Sequence, residues 1–341
     1  MNLPCRPPAR AFAPLLAAVV SLAACGGGGD GGSSGGPTVS SAAITSSAVR
    51  YGQTLVITIN GSGLDQGLAL TSTVCKNAAL GTTVPFVSGP TTAFFLCTLS
   101  GIGSGDVKLL RASDGATLAT IAVVVPVPQV TLSVSNGAGV AGTMVITLAP
   151  DKAPITVDNF LSYVNSGFYV GTLFHRVVPG FVVQGGGYVA PLNAAPGTLK
   201  PASAPIALEV GTGLSNVQWS IAMARASSNV NSATSQFFVN LVDNSTMLDP
   251  GPLTGAGYAV FGSVTLGTSA VTAVVNAPCT SIAGFAGTNG TGECTPIPNM
   301  AIVSHRRGHG GRRADHDCRR CRLGGLDDGI CRADCGSQKS K

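Results

Sequence analysis

The sequence predicts a mainly β protein built in two parts, and three observations carry that prediction. Charged residues make up 10% and aromatics 5% of the 341 residues, while 46 glycines and abundant Val, Ala, Ser and Thr give the composition of short strands and turns. Runs such as residues 55–59 alternate apolar and polar side chains, as half-buried strands do. Turn residues separate these runs at short intervals. Pro126-Val127-Pro128 then divides the chain, because proline fixes φ and cannot donate to a ladder.

At the N-terminus, Arg6 and Arg10 precede the apolar run 12–22, which has the length of a signal-peptide core and is too short to span a bilayer as a helix. Leu22-Ala23-Ala24-Cys25 resembles the bacterial lipobox. That resemblance implies a lipoprotein signal over residues 1–25 with lipid on Cys25; an ordinary cleaved signal peptide is the plainer alternative. Gly26, not Asp, after the cysteine implies sorting to the outer membrane, on the periplasmic face of a bacterial envelope. Residues 26–36, rich in Gly and Ser, read as a flexible tether.

Residues 37–127 read as a first domain. Strands are expected at 55–59, 84–87, 93–99, 107–111 and 118–125, with a turn at Asn60-Gly61-Ser62-Gly63, which together suggest an antiparallel sandwich. The pattern at 52–63 resembles immunoglobulin-like domains of the IPT/TIG type. Cys75 and Cys97 are its only cysteines; in an oxidising compartment they are expected to pair, the alternative being two buried thiols. No catalytic layout is present, so a spacer or adhesive module is the reading.

The second part, residues 128–303, opens with a hairpin: strands at 130–134 and 142–148 around a turn at Asn136-Gly137. Residues 156–164 read as a helix, with Thr156 as N-cap, Asp158 in the first turn, and Val157, Phe160, Leu161 and Val164 at helical spacing. Ser166-Gly167 ends it. The run 174–186 then places Arg176 in an otherwise apolar segment, with few acids nearby in sequence. A cation there needs a partner or a task.

That run, Phe174-His175-Arg176-Val177-Val178-Pro179-Gly180-Phe181-Val182-Val183-Gln184-Gly185-Gly186, resembles the core signature of cyclophilins. The stretch 220–240, with Met223, Arg225, Gln236, Phe237 and Phe238, resembles the second signature in its bacterial form, and Gly257-Tyr258-Ala259-Val260-Phe261-Gly262 follows in order. The resemblance spans residues 129–303. It implies a closed antiparallel β-barrel with flanking helices and peptidyl-prolyl cis/trans isomerase activity on proline-containing polypeptides. No nucleophile, metal or cofactor is called for, and a monomer is expected.

By matching position, Arg176 is the donor to the prolyl nitrogen and Gln184 orients it. Phe181, Val182, Phe238 and Leu248 wall a proline pocket, and Gln236 binds substrate backbone. Ala224, Arg225 and Ala226 line the peptide groove, and Tyr258 stands at the rim where many members have a histidine. Taken singly, each apolar residue would more often be core, and each glutamine an ordinary polar residue. Phe237 is assigned to the core because alternation turns it away from Phe238, and His175 is read as structural.

Departures from the family pattern are Val182, shorter than the usual methionine; Met247, near where a cyclosporin-binding tryptophan is common; and Trp219, where relatives often carry glycine. The loop 190–205 reads as exposed. Cys279 and Cys294 are expected to close the insertion 277–298 with a disulfide, and 299–303 to form the closing strand.

Residues 304–341 hold 10 of the 20 Lys+Arg and 5 of the 15 Asp+Glu, so the remainder has 10 of each and offers no basic field for nucleic acid. Paired cysteines (Cys318 and Cys321, Cys331 and Cys335) with His305, His309 and His316 invite a zinc reading, but irregular spacing and scarce apolar residues favour a disordered tail or a shifted reading frame. The rival to an isomerase is a catalytically weak proline-peptide-binding or adhesive surface lipoprotein.

Overall fold

A computed structural model describes residues 36–283 and 292–306. The expectations for Cys25, the tether and the cysteines after residue 306 lie outside the described residues.

The first part contains β1 (Thr38–Ile44), β2 (Thr54–Ser62), β3 (Leu68–Ser72), β4 (Cys75–Leu80), the short pair β5 (Thr82–Thr83) and β6 (Phe86–Val87), β7 (Thr92–Leu99), β8 (Gly103–Arg111) and β9 (Thr117–Val125). They form antiparallel sheets ordered β1-β2-β7-β4 and β3-β8-β9, with β5 and β6 paired to each other. On β7 the even alternation holds: Ala93, Phe95, Cys97 and Leu99 are buried, opposite Leu109, Ile121 and Val123 of the second sheet in one core. Cys75 is bonded to Cys97 across the β4–β7 ladder. The expected turn at residues 60–63 is corrected. Asn60, Gly61 and Ser62 continue β2 and pair with β1 through a bulge between Val39 and Ser41. Small and polar side chains hide β1 from any apolar pattern; its ladder comes from backbone groups.

The second part contains β10 (Gln129–Ser135), β11 (Ala141–Leu148), β12 (Thr172–Val178), β13 (Val182–Val189), β14 (Thr198–Leu199), β15 (Ser220–Met223), β16 (Phe237–Asn240), β17 (Val260–Leu266), β18 (Cys279–Thr280), β19 (Thr295–Pro296) and β20 (Met300–Arg306). The order β12-β20-β10-β11-β17-β15-β16-β13 closes on itself through a β12–β13 ladder, giving an eight-stranded antiparallel barrel with β14 appended to β13. Helices α1 (Pro154–Asn165), α2 (Ser245–Leu248) and α3 (Thr268–Val275) flank it. Phe160 of α1 packs on Tyr169, Phe237 and Phe261 with ring centroids 5.3, 5.7 and 5.0 Å away, which anchors the helix in the barrel core.

Three expectations are amended. Helix α1 begins at Pro154, with Ala153 at the cap position, so Thr156 is not the N-cap. The carboxylate of Glu209 does that work instead, accepting from the backbone N–H of Ile155 (3.1 Å) and Thr156 (2.6 Å) and from the Thr156 hydroxyl (2.7 Å). The closing strand runs to Arg306, because Ser304, His305 and Arg306 still pair with Leu132, Thr131 and Val130. Within the exposed loop 190–205, Leu192 is fully buried against Leu173 and Ile282. Trp219, to which the sequence assigned no role, sits at φ 66°, a left-handed conformation that favours glycine.

The two parts touch. Tyr51 donates its hydroxyl to Asp158 on α1 (2.9 Å), Arg306 donates to the Tyr51 carbonyl, and Lys76 approaches Asp158 at 3.4 Å. Burial foremost, then the bond to Asp158, pushes the Tyr51 hydroxyl well above the usual phenol range.

Candidate active site

The site is a row of side chains on the outer face of the barrel, and strand register builds it. Arg176 on β12 lies opposite Gln184 on β13, Gln184 opposite Phe238 on β16, Phe238 opposite Ala222 on β15, and Ala222 opposite Val260 on β17. Cross-strand partners share a face. Their sequence neighbours Val177, Val183, Phe237, Val239 and Ile221 point the other way, into the main core. Phe237 is therefore core and Phe238 outward, as alternation requires.

Alternation by itself would not place Arg176 there. Phe174 is a core residue two positions earlier, so an unbroken strand would turn Arg176 inward too. The register slips between Phe174 and Arg176: Phe174 pairs with Gly185 and Arg176 with the adjacent Gln184. His175 is thus the extra residue of a bulge, and the bulge re-aims the guanidinium to the outer face. His175 itself is buried, its ring 4.8 Å from that of Tyr188. Burial pushes its pKa down to about 4, the bond to Leu173 opposes this, and Arg176 adds to it. A neutral, enclosed imidazole fits the structural reading.

The guanidinium is held on two edges. Nη1 of Arg176 donates to Oε1 of Gln184 at 3.4 Å, while Nε and Nη2 donate to Oε2 and Oε1 of Glu293 at 3.2 and 2.5 Å. Gln184 in turn donates from Nε2 to Oε1 of Gln236 at 2.9 Å. Gly187 makes room for this chain, because a Cβ there would stand 2.6 Å from Cγ of Gln236.

Beside this polar row lies a separate apolar cluster of Val182, Ala222, Phe238, Leu248 and Val260, with Phe181, Ala224 and Tyr258 partly buried against it. The ring of Tyr258 meets that of Phe238 edge-on at 5.6 Å, and the Arg225 guanidinium stacks over the Tyr258 ring at 4.6 Å. Arg225 also donates to the carbonyls of Gly257 (2.9 Å) and Ala226 (3.1 Å), so it braces the rim rather than reaching into open space. A groove of about 220 Å³ adjoins, lined by Gln184, Ala224, Arg225, Ala226, Ser232, Thr234 and Gln236. Every barrel residue singled out from the sequence as a pocket or groove element is thus in one neighbourhood.

Sequence reasoning missed Ala222 and Val260, which only register places in the apolar cluster, and Ser232 and Thr234, which lie inside a motif already noted. It also missed Glu293. Separated from Arg176 by 117 positions, that acid carries no local signal of its partnership. Cys279 and Cys294 are joined, which closes the loop that carries it.

The family described as cyclophilin type peptidyl-prolyl cis-trans isomerase/CLD matches residues 130–302. A peptidyl-prolyl cis-trans isomerase of Acinetobacter baylyi is 46% identical over 137 residues, covering 40% of this chain and 69% of that protein. Peptidyl-prolyl cis-trans isomerase B of Escherichia coli is 44% identical over 131 residues, 38% of this chain and 76% of its own length. A solved Cryptosporidium parvum cyclophilin type isomerase, crystallised in the presence of the dipeptide ala-pro, is 21% identical, with a TM-score of 0.38 over 53% of this chain and 99% of that one.

Proposed function

The chain belongs to the cyclophilin-type peptidyl-prolyl cis-trans isomerases and is an isomerase of X–Pro bonds, and from that premise we propose that Arg176 is the donor that lowers the barrier, acting on exported polypeptides. Amide resonance sets that barrier at roughly 18–20 kcal/mol. Rotation breaks conjugation, so the prolyl nitrogen becomes pyramidal and carries a lone pair. A donor aimed at that nitrogen binds the twisted amide better than either planar isomer, which is catalysis by differential binding. Arginine suits the task because it stays protonated and its fork is planar.

The observation that carries this reading is the outward-facing Arg176, held by Gln184 in the strand row that also carries the apolar cluster around Phe238. Phe181, Val182, Phe238 and Leu248 hold the proline ring, with Tyr258 at the rim. The preceding residues run along the groove of Ala224, Arg225 and Ala226. Gln236 already accepts from Gln184 through Oε1, which leaves its Nε2 to donate to a substrate carbonyl.

A protease-coupled proline-peptide assay tests the assignment. Arg176→Ala is expected to lower kcat/KM by about 100-fold, the order seen when one preorganised donor is removed, with an unchanged circular-dichroism spectrum. A folded Arg176→Ala enzyme with the parental rate would remove Arg176 from the mechanism. A parental rate no faster than the blank would favour the peptide-binding rival.

The exported setting is supported by two features: the lipobox-like Leu22-Ala23-Ala24-Cys25 and two disulfides, bonds that persist in oxidising compartments. Cys25→Ser is expected to move the protein out of the membrane fraction; retention there would refute lipid anchoring.

A further inference from the structure

We propose that Glu293 is a positioning residue for the isomerisation, presented to Arg176 by the disulfide-closed loop. The inference rests on the assignment of Arg176 as donor and adds to it the group that holds the donor's far edge.

Gln184 alone grips Arg176 weakly, through one bond of 3.4 Å. A flexible side chain held at one point still pivots. Glu293 takes the opposite edge in a two-point contact, Nε to Oε2 and Nη2 to Oε1. The plane of the fork is then fixed, with Nη1 left on the edge that meets Gln184. The pair is well shielded, with side-chain exposures of 22% and 15%, so it is not one of the fully solvated pairs that contribute little.

Glu293 is itself anchored. Cys294, its neighbour, is bonded to Cys279 and exchanges backbone hydrogen bonds with Val177 at 2.8 and 3.0 Å. The Thr295 hydroxyl donates to the carbonyl of His175, the bulge residue, at 2.8 Å. The Ser281 hydroxyl donates to the carbonyl of Glu293 at 2.8 Å. Residues 293–295 therefore run along the bulged strand and secure the distortion that turns Arg176 outward. A carboxylate held this way sets geometry; a competing latch would need freedom to swing off.

The test compares the full chain with Glu293→Gln, Glu293→Asp, Arg176→Ala and the double variant Glu293→Gln/Arg176→Ala in the proline-peptide assay. Glu293→Gln keeps the shape and removes the charge. Its kcat/KM is expected to fall roughly tenfold, inside the ~100-fold that an ångström-scale misplacement can cost, with the loss in kcat and KM within about twofold. Glu293→Asp should recover part of that loss. Adding Glu293→Gln to Arg176→Ala should cost nothing further, which a merely structural role would not produce. If Glu293→Gln fails to fold, Glu293→Asp against the parent carries the same kcat comparison. The proposal is overturned if Glu293→Gln (or, in that case, Glu293→Asp) equals or exceeds the parental rate while Arg176→Ala is impaired, or if Glu293→Gln loses activity equally in both backgrounds. A fully active Arg176→Ala would instead sink the underlying donor assignment.

Discussion

His175 and Arg176 are adjacent on one strand and have opposite fates. The bulge gives His175 to the interior and Arg176 to the outer face. Both residues were conspicuous in the sequence, and motif position assigned each its role. What the sequence did not contain was the phase of the strand. Strict alternation from the core residue Phe174 puts Arg176 inside, and only pairing with β13 reveals the slip.

The buried imidazole has a thermodynamic consequence. Its folded pKa of about 4 lies below the unfolded value near 6.5, so the unfolded chain takes up this proton first. The contribution to stability is fully present above about pH 6.5 and lost as pH falls through about 4, amounting to roughly 3 kcal/mol by the linkage relation. Urea unfolding between about pH 7.5 and 5 should show stability falling with acidity in the parent and a flatter dependence in His175→Gln. Equal slopes would mean that His175 does not carry this proton linkage.

At the scale of elements, strands with a strong apolar period were readable and those without it were not. Strands β7, β10, β11 and the motif strands β12, β13 and β16 stand where the pattern put them. Strands β1, β3 and β4 lack that pattern and exist because neighbours offer them a ladder. The polar support of the pocket was equally silent. Asn216 donates through its backbone N–H and Nδ2 to Asp249 (both 2.8 Å), and through Nδ2 to the carbonyl of Leu248 (3.2 Å). Asn240 donates to Asn216 (3.2 Å), and Asn244 donates to Asn240 and to the Phe181 carbonyl (both 2.8 Å). This buried chain ties the turn that bears Phe181 to helix α2, which ends at Leu248. Asn216→Ala should therefore cost about 2–3 kcal/mol, because buried partners lose their bonds. It should also raise KM for a proline peptide more than it lowers kcat. Thermal melting and the coupled assay read both effects, and an unchanged KM would detach this network from the pocket.

For the whole molecule, sandwich and barrel meet at Tyr51, where a buried phenol bonds to Asp158 and the last barrel strand reaches back through Arg306. Of these contacts the Tyr51–Asp158 bond carries more weight than the Lys76–Asp158 pair, which is about half exposed and worth at most about 1 kcal/mol. Residue types in order were enough to determine the β class and the isomerase motifs, and to single out Arg176 as the proposed donor, since these follow from local periodicity and from side chains whose chemistry has few alternatives. Tertiary structure alone decided which face Arg176 takes, which acid grips it and which amides brace its pocket. Each of those depends on strand register or on residues brought together across tens of positions, 117 for Arg176 and Glu293, and no local pattern encodes such pairings.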